Sequence, residues 1–474
     1  MENTPNNEKN IGLNFIMNGL LMLSSFIFPL FAFPYVSRVL MAEGTGRVAF
    51  VSAVISYFTI FAQLGIPTYG IRACARVRDD ARELARVVCE LELLSFVMGA
   101  LSLLVLSLAV LFVPRLHQEK DLFMVMSVSV MLSALGMEWL YRALEQYVYI
   151  TVRSLIFKLI ALAGMLLLIK SGEDYVIYGG LTVFAASASN IFNFINAFRI
   201  IDIKNAGKLM PARHLKAVFI FLAQSVAVTV YTNLDSAMLG FMKENAQVGY
   251  YNAAVLVKNM LVNLLTSLGV VLLPRASYYI EKKLFGEFDR IVKKSFAFLL
   301  FSSLCFLLYF EAYAKDWIYV LSGKGYEGAV LPMQVILPAL VLICISNVLG
   351  IQILVPKGRE ICVFYSELAG AGVDLCLNLL LIPEYGAAGA AAGTLGAEAV
   401  VLLVQAYFLR DYLGKLLNGK TAASLLKACL IFALAFVVSR PVYLYLPQAM
   451  PALILSAALY MLIGGIFVVY EVLT

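Results

Sequence analysis

The chain has 474 residues, of which 62% are hydrophobic and 14% charged, and its mean hydropathy is +0.88. Soluble domains carry about 25% charged residues, so a water-soluble globular enzyme is excluded and an all-α polytopic membrane protein is indicated. The net charge of +6 reads as attraction to an anionic leaflet rather than as a nucleic-acid footprint.

The first ten residues are polar, with Lys9 against Glu2 and Glu8. The apolar run after them is about 25 residues long and lacks a small-x-small cleavage site, which predicts a retained span rather than a signal peptide. Apolar windows of about 20 residues predict fourteen spans. They begin near Leu13, Val48, Val88, Leu122, Val148, Val176, Val218, Val248, Lys294, Val330, Ile361, Gly386, Thr421 and Met450. Pro29 and Pro34 in the first span, and Pro332 and Pro338 in the tenth, are hinge or kink candidates, because proline frees a helical carbonyl. Between the second and third spans, Ile71 to Arg86 holds Asp80 and Glu83 in capping-box order and reads as a short basic helix.

If the amino terminus is cytoplasmic, 26 Lys and Arg fall on that side and 9 on the other. Lys258 alone is left inside the membrane, and the positive-inside rule places both termini in the cytoplasm. No loop exceeds roughly 20 residues, too short for a soluble catalytic domain of 50 residues or more. The seven Cys form no C-x-x-C, and His117 and His214 lie in short connections as solvated loop residues. No metal or nucleophile constellation can be built from them.

The hairpin from Val218 to Leu273 is unusual in placing an acid, Asp235, and a base, Lys258, in segments apolar enough to cross a bilayer. Ionisable groups near the bilayer centre cost roughly 2.5–3.5 kcal/mol on insertion scales and are functional candidates. Gln224, Tyr231 and Asp235 recur at i, i+7 and i+11, as do Asn252, Asn259 and Asn263, giving each helix a polar stripe. Interhelical glue and a wet cavity both account for the amides.

Gly46 against Gly249, and Tyr178-Gly179 against Tyr385-Gly386, recur at near-equal offsets and suggest two six-span halves, with a site between them near mid-depth. The expected organisation is a cytoplasmic tail at 1–12, six-helix lobes at 13–213 and 214–412, and two further helices at 413–474. Gly389-x-x-x-Gly393 in the twelfth span predicts close helix packing.

Five stretches together carry a resemblance. They are Phe33-Pro-Tyr-Val-Ser-Arg38-Val-Leu40 leading to Gly46, Leu64-Gly65-Ile66 with Tyr69-Gly70-Ile71-Arg72, and Glu138-Trp139 to Glu145 with Arg153-Ser154 and Lys158. To these are added Asp235 with Met238-Leu239-Gly240 and Gly249-Tyr250-Tyr251-Asn252, and Asn378 through Pro383 to Gly389. From about Asn14 to Arg410 the chain resembles Wzx-type polysaccharide flippases, in the superfamily shared with multidrug extruders and lipid II flippases. It departs from that pattern at Met41 and Ala42, where a small Gly usually follows Arg38-Val-Leu, and at Ala143.

The resemblance implies two six-helix lobes in a V, alternating access, a bacterial or archaeal plasma membrane, and a cationic cavity for the diphosphate-sugar head of a polyprenyl-linked oligosaccharide. Lys258, Lys158, Arg153 and Arg38 are the expected diphosphate contacts, although interfacial snorkelling also accounts for the last three. Asn18, Gln63, Tyr231 and Asn259 are the expected sugar contacts. Asp235 is the candidate for H⁺ or Na⁺ coupling, with a structural salt bridge to Lys258 as the alternative, and no cofactor is expected. Partners would be undecaprenyl-diphosphate-linked oligosaccharide, membrane lipids, and a polysaccharide polymerase and glycosyltransferases. A lipid II flippase and a multidrug cation antiporter are the nearest rivals. A membrane transferase would need a His or carboxylate cluster on a loop, and a channel would need rings of like charge.

Overall fold

The structure, a computed structural model, describes residues 11–202, 206–416, 419–445 and 449–473. The tail expected at 1–12 lies almost wholly outside the described residues, as do Lys9, Lys204 and Pro447. The described residues are helical and contain no strand.

The first of two compact units is Met1–Phe241. It contains α1 (Ile11–Gln63), α2 (Ile66–Arg76), α3 (Ala81–Phe112), a single turn α4 (Pro114–His117), α5 (Lys120–Met126), α6 (Val128–Ala134) and α7 (Glu138–Ala143). After these come α8 (Tyr147–Leu168), α9 (Tyr175–Val183), a π-helical turn at Phe184–Ala188, α10 (Ser189–Ile200) and nearly all of α11 (Leu215–Met242).

The second unit is Met242–Thr474. It holds α12 (Asn245–Glu281), α13 (Phe285–Ala312), α14 (Ala314–Ser322), α15 (Val330–Ile336), α16 (Ala339–Asn347) and a π-helical stretch Val348–Leu354. Then come α17 (Glu360–Tyr385), α18 (Ala387–Phe408), α19 (Arg410–Leu416), α20 (Gly419–Tyr445) and α21 (Ala449–Leu473).

Among the described residues, twelve helices are long and apolar enough to cross a membrane, and the bent pair Asn245–Ser267 and Leu272–Glu281 makes a thirteenth. One of the twelve, Gly12–Arg76, has 65 residues. At 1.5 Å per residue it would run roughly 98 Å against a hydrocarbon core about 30 Å thick. It therefore supplies two crossings, and all fourteen predicted spans are present. The chain is a multi-pass membrane protein.

The break in that long helix falls at Met41 (φ 57, ψ −177), not at Pro29 or Pro34, which lie within helix. Such a backbone conformation is nearly confined to glycine and costs on the order of 1–3 kcal/mol elsewhere. The position where the resemblance leads one to expect Gly is thus the one that needs it. In the tenth span, Pro338 separates α15 from α16 as the sequence suggests. Pro332 sits harmlessly in the first turn of α15, where its missing amide is not needed. The 41° bend near Pro274 arises from the hydrogen bond that proline withholds from the preceding turn.

Outward faces are apolar, as a lipid solvent demands. On α20, Leu426, Leu430 and Leu434 are 71%, 67% and 59% exposed, while Ala428, Phe432 and Ala435 pack with Phe301, Tyr309 and Tyr460 from α13 and α21. The last two spans are therefore integral to the second unit. On α18, a Cβ added at Gly389 would lie 2.6 Å from the Leu381 carbonyl carbon of α17, so the small-residue motif does bring two helix backbones together.

A lobe boundary between 213 and 214 would assign α11 to the second lobe. In the structure Val218 and Leu222 of α11 join the core that includes Leu64, Ile66, Cys74 and Trp139, and the first unit runs on to Phe241. The two halves of the proposed repeat also differ locally. Gly179 lies inside α9, whereas Gly386 forms the turn between α17 and α18 with φ +55.

Candidate functional site

α1 ends at Gln63, where Leu64 (φ 51) and Gly65 (φ 72) turn the chain into α2. A Cβ at Gly65 would meet the Phe221 carbonyl carbon at 2.7 Å, so only glycine lets this turn press against α11. Gln63 is thereby fixed at a point where two polar clefts of the first unit meet.

The larger cleft, of about 430 Å³, is lined by Ser52, Ser56, Thr59 and Gln63 of α1, Ser129 and Ser133 of α6, Thr182, Ser187, and Thr229 and Asn233 of α11. The smaller, of about 300 Å³, holds Gln63, Thr68, Glu138, Trp139, Arg142 and Asn190. Both fall at or above the lower bound of small-molecule sites, about 300 Å³. Arg142 Nη2 is paired with Glu138 at 2.7 Å, so the cation that lines the smaller cleft is neutralised in place.

Three of the hydroxyls that line the larger cleft are bonded to the backbone of the preceding turn. Ser56 donates to the Ala53 carbonyl, Ser129 to Met126 and Thr182 to Gly179, each at 2.7 Å. A carbonyl has no proton, so the direction of each of these bonds is fixed, and these three oxygens are left to accept. Asn233 likewise spends its Nδ2 on the Thr229 carbonyl and the Thr232 hydroxyl.

Of the predicted site residues, only Gln63 lines these clefts. Arg153 is buried on α8 with its guanidinium over the Tyr149 ring at 5.3 Å, and its Nε and Nη1 have no hydrogen-bond partner. Lys158, a turn further on, donates to Ser24 Oγ at 2.8 Å and Ser25 Oγ at 3.0 Å. Arg38 is exposed and donates to the Pro34 carbonyl. Asp235 is buried in the first unit and Lys258 in the second. Asn18 and Tyr231 are half-buried, and Asn259 is exposed.

Two features escape a reading of the sequence alone. One is the hydroxyl lining, whose signal was present: Ser52, Ser56, Thr59 and Gln63 recur at i, i+4, i+7 and i+11, one helical face. The other is a buried ionic cluster. Glu90 of α3 is fully buried and accepts from Met210 N at 2.6 Å, Arg213 Nε at 2.7 Å, His214 Nε2 at 2.8 Å and Arg86 Nε at 3.2 Å. The Tyr69 hydroxyl stands 2.8 Å from His214 Nδ1. His214 is therefore not the solvated loop residue expected; a carboxylate inside the helix draws it in. Asp80 caps α3 as predicted, accepting from Arg82 N and Glu83 N. The Glu83 side chain pairs with Arg213 at 2.8 Å, so the link from Ile71 is two helices joined by a turn rather than one.

Residues 11–279 match the family described as polysaccharide biosynthesis protein. The chain belongs to that family. Among relatives, it is 25% identical over 414 residues to the “Putative O-antigen transporter” of Escherichia coli (strain K12), spanning 85% of this chain and 98% of that protein. It is 26% identical over 411 residues to the protein of the same description from Shigella dysenteriae, spanning 84% and 98%. Its fold is that of lipid II flippase MurJ in an inward closed conformation, with a TM-score of 0.72, 14% identity and 96% and 98% of the two chains covered. An inward-facing multidrug resistance transporter of the MATE family and MOP superfamily shares the fold, with a TM-score of 0.65, 13% identity and 85% and 98% coverage.

Proposed function

We propose that this family member is a flippase that carries a polyprenyl-diphosphate-linked oligosaccharide from the cytoplasmic to the outer leaflet of a bacterial or archaeal plasma membrane by alternating access. No bond is made or broken. The lipid tail can stay in the bilayer, whereas an isolated ion moved into a low-dielectric medium costs tens of kcal/mol by Born estimates. The passenger's diphosphate therefore needs a cationic route.

Arg153 is the observation that carries this reading. A guanidinium buried with two of its nitrogens unbonded is costly unless an anion arrives to use them. Lys158, within about 8 Å along the same helix, Lys258 in the second unit and Arg38 extend the cationic set, and the Gln63 clefts with Asn18, Tyr231 and Asn259 serve the sugars. Both termini lie in the cytoplasm, and a polymerase and glycosyltransferases act on either side of this step. The test is deletion in the native host: undecaprenyl-linked glycan should accumulate on the cytoplasmic leaflet, and the parent gene but not Lys258→Ala should clear it. No accumulation would overturn the reading.

An inside-negative potential contributes about 2.3 kcal/mol per charge per 100 mV to outward movement of the anion. In this proposal Asp235, a buried carboxylate within a spanning helix, couples a further H⁺ or Na⁺ gradient. Asp235→Asn should remove the dependence of flipping on pH or Na⁺ in proteoliposomes while leaving the potential-driven component. An Asn variant that responds to both ions like the parent would exclude coupling through this residue.

A further inference from the structure

Two carboxylates of the first unit hold arginines in opposite ways. Glu90 is fully buried under four donors and is shut off from any arriving ion. Glu138 lines the smaller cleft beside Gln63, Trp139 and Asn190, and its side chain and that of Arg142 are each 37% exposed. An ion pair this open is held weakly, because water screens it.

The pair also leaves its arginine unsaturated. Arg142 Nε and Nη2 converge on one oxygen, Glu138 Oε1, at 3.0 and 2.7 Å. A guanidinium carries five N–H donors in a fork, so Arg142 is under-used by this partner. The charge of Glu138 also reaches Arg153 and Lys158 of α8. One half-exposed carboxylate thus serves as counter-ion to three cations.

We infer that Glu138 is a resident substitute for the passenger's diphosphate: the arriving anion displaces it from Arg142, and its return to Arg142 drives the anion off. The inference rests on the flippase reading and deepens it, adding Arg142 to the anion contacts and making Glu138 a positioning residue that governs release. Phosphate presents two oxygens to the guanidinium fork where Glu138 presents one, which favours exchange on arrival. Glu138 is tethered one helical turn from Arg142, so it competes at high local concentration for as long as the anion stays. The smaller cleft then joins the two ends of the cargo, with Arg142 for phosphate and Gln63 for sugar.

The experiment reconstitutes the full chain in liposomes of neutral phospholipid, varies the mole fraction of an undecaprenyl-diphosphate trisaccharide, and reads its leaflet with membrane-impermeant periodate. Glu138→Gln, which keeps the shape and removes the charge, should lower the half-saturating mole fraction about fivefold and slow turnover at saturation about fivefold. Arg142→Gln should raise the half-saturating fraction about tenfold. A folded Glu138→Gln protein with parental half-saturation and turnover, or one whose half-saturating fraction rises, would overturn this inference while leaving the flippase reading intact, because the pair would then only brace α7. Should Glu138→Gln fail to fold, Arg142→Gln decides, and parental half-saturation in that variant would overturn the inference. A folded parent that flips no glycan would overturn the flippase reading and this inference together.

Discussion

Glu90→Ala is expected to destabilise the first unit by about 3 kcal/mol, because removing one member of a buried ionic cluster leaves the others desolvated and uncompensated. Four donors converge on this carboxylate, and one of them, the Met210 amide, belongs to the connection leading into α11. Losing the carboxylate would therefore release that connection, and would leave Arg213 to Glu83 and His214 to Tyr69 alone. Cys74 gives a direct readout, since it is fully buried in the same core. Its labelling by a small maleimide should accelerate by on the order of 100-fold, at about 1.4 kcal/mol per tenfold. Glu90→Gln keeps one accepting oxygen and should show a smaller effect. Cys74 labelling unchanged in the alanine variant would mean that the cluster decorates the fold without holding it.

Arg153→Met is expected to separate stability from transport. Methionine fills the space and contacts Tyr149 without a charge. Replacing a poorly compensated buried ion by an apolar group is often neutral or stabilising by about 1–4 kcal/mol, so the thermal midpoint in detergent should hold or rise. Flipping should fall by about 100-fold, the loss of one charge-assisted pair of contacts to phosphate. If Arg153 is instead a packing residue over Tyr149, the variant should flip at the parental rate. Arg153→Lys, with a point charge in place of a planar fork, should recover only part of the activity.

The architecture was legible because lipid makes few demands and makes them everywhere. Twenty apolar residues announce a crossing whatever their order, and the small-residue face at Gly389 and the cap at Asp80 obey local rules that hold in any fold. The break at Met41 was legible only in outline. A departure from an expected glycine marked the place, but no side chain announces a positive φ. Prolines at 29 and 34 misled because a helix in lipid can absorb the carbonyl they release.

The candidate site was harder to see because its strongest signal is weak in isolation. Charges stand out in an apolar sequence, so Asp235 and Lys258 drew attention, while serine and threonine are common in membrane helices and usually bond to their own backbone. Ser52, Ser56 and Thr59 mean something only when α6 and α11 bring Ser129, Ser133 and Asn233 to face them. His214 failed for a related reason. Its partner Glu90 lies 124 positions away, and spacing along the chain carries no trace of that pairing.

The backward bonds of Ser56, Ser129 and Thr182 also bear on how quickly a passenger is held and released. Their rotors are already pinned, so at these three positions a glycan arriving in the cleft freezes no side chain, and the entropic toll of about 0.5–1.5 kcal/mol that a mobile contact residue would levy falls away there. Recognition of this kind can be specific yet shallow. A carrier that must let go on the far side of the membrane after every cycle is well served by a surface that is rigid before its cargo comes and unchanged after it leaves.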